Sequence, residues 1–111
     1  MMRPPLSSAA TSLLRAVINR TGLPRDRILL REFRSVDWHS LTYQGERHCI
    51  SLRLPPPHAA ETARALTDGL EDAEFEIGGH LVADIALACP PIHGEDGSIG
   101  IEIEALTLAE A

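Results

Sequence analysis

The chain contains no lysine. Every fixed positive charge is therefore an arginine, and chemistry that runs through a lysine Schiff base is excluded. Aromatic side chains are scarce: Phe33, Trp38, Tyr43 and Phe75 are the whole set. The core has to be mainly aliphatic. Two cysteines, Cys49 and Cys89, are too few for a disulfide framework. No stretch approaches the roughly 18 consecutive apolar residues of a membrane span. The N-terminus, MMRPPLSSAATSLLRAV, has an arginine but no continuous apolar run before a cleavage site, so a signal peptide is not expected. These absences point to a reduced, cytoplasmic protein with no membrane contact. The HExxH, CxxC, GxGxxG and GxxxxGK patterns are also missing. No cofactor and no metal site are expected.

What is present is a chain of 111 residues, 44% apolar, with aliphatic residues spread along its length. That is one domain, 1–111, able to bury roughly 60–70% of its unfolded surface. Residues 1–6, with Pro4-Pro5, read as a flexible tail, and 109–111 as a frayed end. The charge is split. Residues 1–60 hold nine arginines against four acids, and residues 61–111 hold Arg64 alone against twelve. A basic half and an acidic half can attract each other, within one chain or between two.

The most patterned stretch is Val36 to Leu54, VDWHSLTYQGERHCISLRL. Gly45-Glu46 between two alternating runs predicts a two-residue hairpin turn, with Tyr43 opposite His48. One face then carries His39, Leu41, Tyr43, His48, Ile50, Leu52 and Leu54. The other carries Trp38, Ser40, Thr42, Gln44, Arg47, Cys49, Ser51 and Arg53. Upstream, Ile28–Arg34 reads as a strand that joins the first arm, with a bulge near Ser35–Asp37. Ala10, Leu13, Leu14, Val17 and Ile18 have the spacing of a buried helical stripe, capped by Ser7 or Ser8 and ended by Thr21-Gly22. Pro55-Pro56-Pro57 stops the second arm and leads into a second helix from His58 to Leu70, weakened by Gly69.

Glu74–Ile77 begins another strand, interrupted by Gly78-Gly79. His80–Cys89 alternates again, with Leu81, Ala83, Ile85 and Leu87 on one face and His80, Val82, Asp84 and Ala86 on the other. After an exposed loop, Ser98–Leu108 is the last strand, with Leu106 and Leu108 breaking its alternation. The expected fold is a two-layer α+β sandwich in the order α-β-β-α-β-β. It has four mainly antiparallel strands and two helices, at about 8–20 and 58–70, on one face. The two halves share this architecture without sequence identity.

Two helices on one face leave the other face bare. On this reading it is small and weakly charged around Trp38, which suits a homodimer interface or a ligand cradle. Pairing through the edge of the last strand, moderated by Glu102 and Glu104, is the other route to self-association. The favoured function is a non-enzymatic binding or assembly module that uses this open face. The alternative is a small-ligand binding protein or enzyme. There Arg53 would hold an anion, Trp38 would pack on a planar group, and His80 or Asp84 would exchange protons. His80 and Asp84 lie about 13 Å apart along their strand, so a neighbouring strand would have to complete that site. The five histidines form no ligand-spaced set, and no cysteine–histidine pair is adjacent in sequence. Arg25, Arg27, Arg31 and Arg34 form a basic run with Phe33. Without paired stacking aromatics, nucleic-acid binding is not expected.

Overall fold

A computed structural model describes residues 6–110. Residues 1–5 of the expected tail and Ala111 of the expected frayed end lie outside it. The described part has two helices on one side of an open antiparallel sheet. Helix α1 spans Ser8–Asn19. The Ser7 hydroxyl accepts from the Ala10 N–H at 3.1 Å and donates to Glu46 at 2.8 Å. One side chain thus caps the helix and ties it to the sheet. Helix α2 spans Ala59–Thr67, shorter than expected. The chain turns out at Asp68, and Gly69 takes a positive φ of 68° before a short 3-10 turn at Leu70–Asp72. Arg20, just past α1, donates to the carbonyls of Leu66 at 2.8 Å and Asp68 at 2.6 Å. The guanidinium occupies the end of α2, where free carbonyls favour a cation.

The strands are β1 (Leu29–His39), β2 (Gln44–Leu54), β3 (His80–Leu87), β4 (Ile92–His93) and β5 (Ile99–Ala109). Their order is β1-β2-β5-β3, with β4 also on β5. There are five strands where four were expected, but the sheet is four positions wide. Ala88 N–H continues the β3 ladder to Glu102, Pro90-Pro91 interrupts it, and Ile92-His93 resume it against Gly100 and Ile99. The last strand is therefore central, paired with β2 on one side and β3 on the other. This removes the expected self-association through its edge. Ala109 still pairs with His80, and the Glu110 N–H donates to Gly79 at 3.0 Å, so the chain is not frayed there. The halves α1-β1-β2 and α2-β3-β5 meet through β2 and β5, as two similar units would.

The hairpin turns elsewhere than expected. Gln44 pairs with His39 and Gly45 with Trp38, so the reversal falls at Ser40–Tyr43. Ser40 closes it, its hydroxyl accepting from the Tyr43 N–H at 3.1 Å and its own N–H donating to the Tyr43 carbonyl at 2.9 Å. His48 then lies opposite Ser35 instead of Tyr43. Gly45 serves close approach instead of turning: a Cβ there would collide with the Thr107 carbonyl on β5. The bulge in β1 falls at Arg31, between Leu30 and Glu32, and not at Ser35–Asp37. Glu74–Glu76 form no strand, and Ile77 only bridges back to His80. In β5 the alternation never breaks. Ile99, Ile101, Ile103, Ala105 and Thr107 are buried, and Leu106 and Leu108 face the other way.

One aliphatic cluster fills the space between helices and sheet. Leu13 and Val17 enter from α1, Leu66 from α2, Leu70 from the turn after it, and Ile50, Leu52, Leu54, Ile101 and Ile103 from the sheet. Each fully buried side chain of this size contributes about 1.5–3 kcal/mol. Among the described residues, no helix is long and apolar enough to cross a membrane.

Candidate functional site

The helices cover one sheet face and leave the opposite face open. Its composition follows from the register, because directly opposed residues share a face. Across the middle, Arg34, Cys49, Glu104 and Ala86 form one row, and Val36, Arg47, Leu106 and Asp84 form the next. At one end lie Trp38, Gly45, Leu108 and Leu81. At the other lie Leu29, Arg53, Gly100 and Ile92. Both ends carry large apolar groups. Leu29, Val36, Leu81 and Ile92 are exposed.

The expectation of a weakly charged face is corrected. Glu32, Arg34, Arg47, Asp84, Glu102 and Glu104 stand on it along with Arg53. The charges are sorted by strand. Arginines occupy β1 and β2, while carboxylates occupy β5 and β3. Glu32 is the exception, and it lies 3.6 Å from the Arg34 Nε. Glu102 accepts from the Ser51 hydroxyl at 3.0 Å. Among the described residues, Arg47, Asp84 and Glu104 form no ion pair. This sorting is the charge split of the sequence laid out in space, since β1 and β2 come from the basic half. The glutamates alternate with the buried isoleucines of β5, which is a legible signal for a polar outer face.

The four residues proposed for a small-ligand site are placed apart. Trp38 is half-buried on the open face, in a cleft of about 320 Å³ with Asp37, His39, Gln44 and Gly45. Arg53 shares the face but lies eight residues further along β2 than the Gly45 row, about 26 Å away. It already holds a carboxylate, with Nη2 2.6 Å from Asp96 Oδ2. Asp96 is held well below the usual carboxylate range by the Ser98 hydroxyl, then the Ser98 N–H, then Arg53. Asp84 is on the open face opposite Leu106. His80 is on the helix-bearing face, with Nε2 3.5 Å from the Ser8 hydroxyl. A bulge at Ala83 shifts the register between Val82 and Asp84 and separates His80 from Asp84.

Comparison with known proteins adds no name to this geometry: no family model matches the chain, and no curated protein or solved structure is similar enough to count as a match.

Two further arrangements bear on chemistry. The first is a chain of three side chains absent from any sequence motif. Ser35 Oγ lies 2.7 Å from His48 Nδ1, and His48 Nε2 lies 2.8 Å from Thr107 Oγ1. His48 is buried, and its ring meets the Phe33 ring edge-on at 5.7 Å. Burial pushes its pKa down, against a raising effect of Glu46, with His80 adding to the lowering. A serine beside a neutral histidine has the outline of a nucleophile and base. The tautomer argues otherwise. Among the described residues, the buried Thr107 hydroxyl has only His48 Nε2 as acceptor. Satisfying it makes Nε2 the acceptor and Nδ1–H the donor to Ser35. The ring then donates a hydrogen bond to the serine oxygen and accepts none from it, which fits a structural bridge between strands. The second arrangement is an open cleft of about 770 Å³ along β1, lined by Leu6, Leu30, Phe33 and Val36 and reaching Ser51 and Glu102 on the open face.

The arginines of the basic run do not form one stripe. Arg25 and Arg27 lie in a 3-10 turn, and Arg27 pairs with Glu61 at 3.3 Å. Arg31 is in the bulge, and Arg34 stands on the open face. Cys49 is exposed on the open face, and Cys89 lines the same central cleft of about 250 Å³. Among the described residues, no three His, Cys, Asp or Glu side chains are grouped to hold a metal.

Proposed function

We propose that this protein is a binding or assembly module whose docking surface is the open face of the sheet. The observation that carries the reading is a whole sheet face, apolar at both ends and charged in the middle, with both helices on the other side. Docking there would bury Trp38, Leu81 and Leu108 at one end, Leu29 and Ile92 at the other, and Leu106 between them. The charged middle would set orientation and reject wrong partners. Trp38, Arg53 and Asp84 belong to this surface, and His80 does not. A small anionic ligand held jointly by those four has less support, because the register spreads them along two strand directions and over both faces.

Cys49 provides the test. It stands in the middle of the face and is exposed in the single chain. In a Cys89→Ser variant, the rate of thiol alkylation at Cys49 reports whether the face is covered. The rate is measured in intact cells, on the purified protein over a range of concentrations, and after unfolding. Slow native labelling that becomes fast on unfolding supports docking. Labelling at the unfolded rate under every native condition refutes it.

A further inference from the structure

We propose that the open face is covered by a second copy of this chain, related by a two-fold axis that runs along the strands between β2 and β5. This rests on the docking reading above and names its partner.

The sorted charges choose the axis. A two-fold axis in the plane of contact and along the strands exchanges left and right. It lays β5 and β3 of one copy over β2 and β1 of the other. The arginine columns then meet the carboxylate columns: Arg47 lies over Leu106 of the second copy with Glu104 one row away on the diagonal, and Arg34 lies over Ala86 with Asp84 one row away. An in-plane axis across the strands lays each column on itself and sets arginine against arginine. Like charges brought together in a closed contact are strongly unfavourable. Only the first axis uses the charge split of the sequence.

Side-chain size agrees with the same axis. It preserves rows and reverses them. At one end Trp38 meets Leu81 of the second copy, and Leu108 meets Gly45. At the other, Leu29 meets Ile92, and Arg53 meets Gly100. At the two ends large groups fall on small ones near the axis and apolar groups fall on apolar ones at the corners, while in the middle Arg47 packs on Leu106 and Cys49 on Glu104. Aligned sheets pack at about 30°, which a two-fold axis provides by standing about 15° off the strands.

The area is sufficient. Four strands at about 4.8 Å by ten residues at about 3.3 Å give roughly 630 Å² per copy. Two copies together bury roughly 1,250 Å², at the lower end of stable, specific interfaces.

The test uses two charge-reversal variants of exposed or half-exposed positions, Arg34→Glu with Arg47→Glu, and Glu102→Arg with Glu104→Arg. Circular dichroism and thermal melts establish that both fold. Sedimentation velocity from about 1 to 100 μM measures assembly, where loss of charge pairing predicts dissociation constants raised more than about tenfold. The wild type is expected to dimerise, and each variant to weaken. An equimolar mixture of the two variants is expected to recover a dimer, because one face is now acidic except for Arg53 and the other is basic except for Glu32 and Asp84. Wild-type dimers that neither variant weakens overturn the two-fold arrangement. A wild type that stays monomeric at 100 μM overturns the second copy as partner. The docking reading survives that last result if Cys49 is still protected in cells, and falls with it if Cys49 labels freely.

Discussion

Lowering the pH from 8 to 5 should destabilise this protein through one residue, His48. Its ring is buried between Ser35 and Thr107, and burial holds its pKa below the ordinary 6.5. The sign follows from proton counting. Above pH 6.5 His48 is neutral in both folded and unfolded chains, and its full contribution is present. Below 6.5 the unfolded chain takes up a proton that the folded chain refuses, so stability falls with falling pH. The slope approaches about 1.4 kcal/mol per pH unit and ends at the folded pKa. Down to pH 5 the loss reaches at most about 2 kcal/mol, from RT ln(1 + 10^1.5). Urea unfolding at pH 8, 7, 6 and 5 measures it. Other titrating groups are removed by comparison with His48→Gln, which keeps a polar side chain but cannot take the proton. The difference between wild type and variant should shrink steadily below pH 6.5. A difference that is flat with pH, or that widens on acidification, refutes the burial argument.

Gly45→Ala should cost about 1–3 kcal/mol, seen as a lower urea midpoint, because its Cβ has no room beside the Thr107 carbonyl. Arg20→Ala removes the donors at the end of α2. It should cost about 1–3 kcal/mol and accelerate amide exchange around Asp68–Asp72. Leu13→Ala, in the fully buried stripe of α1, should cost about 2–5 kcal/mol by thermal or chemical unfolding. Ser98→Ala should raise the Asp96 titration midpoint, followed by carboxyl NMR, because the Ser98 hydroxyl is the first cause of its depression.

Periodicity alone determined the helices, the aliphatic core and the existence of an uncovered sheet face. Leu13 and Val17 recur at helical spacing, and Ile99, Ile101 and Ile103 at strand spacing. A buried stripe or face imposes such repeats because each element turns one side to the core. The tertiary structure decided the rest. Gly45 satisfies the local rule for a hairpin turn, yet it is needed for close approach to β5, a contact 62 residues away in sequence. Residues 31 and 83 carry no compositional mark of a bulge, but each shifts a strand's register. That separated His80 from Asp84 and dispersed the imagined ligand site. The charge of the open face was written in the sequence as a split between halves. Whether those halves would lie side by side on one face depended on β5 inserting between β2 and β3. Alternation has a period of two, so a single inserted residue inverts every side chain beyond it. Only strands paired in three dimensions reveal where that residue is.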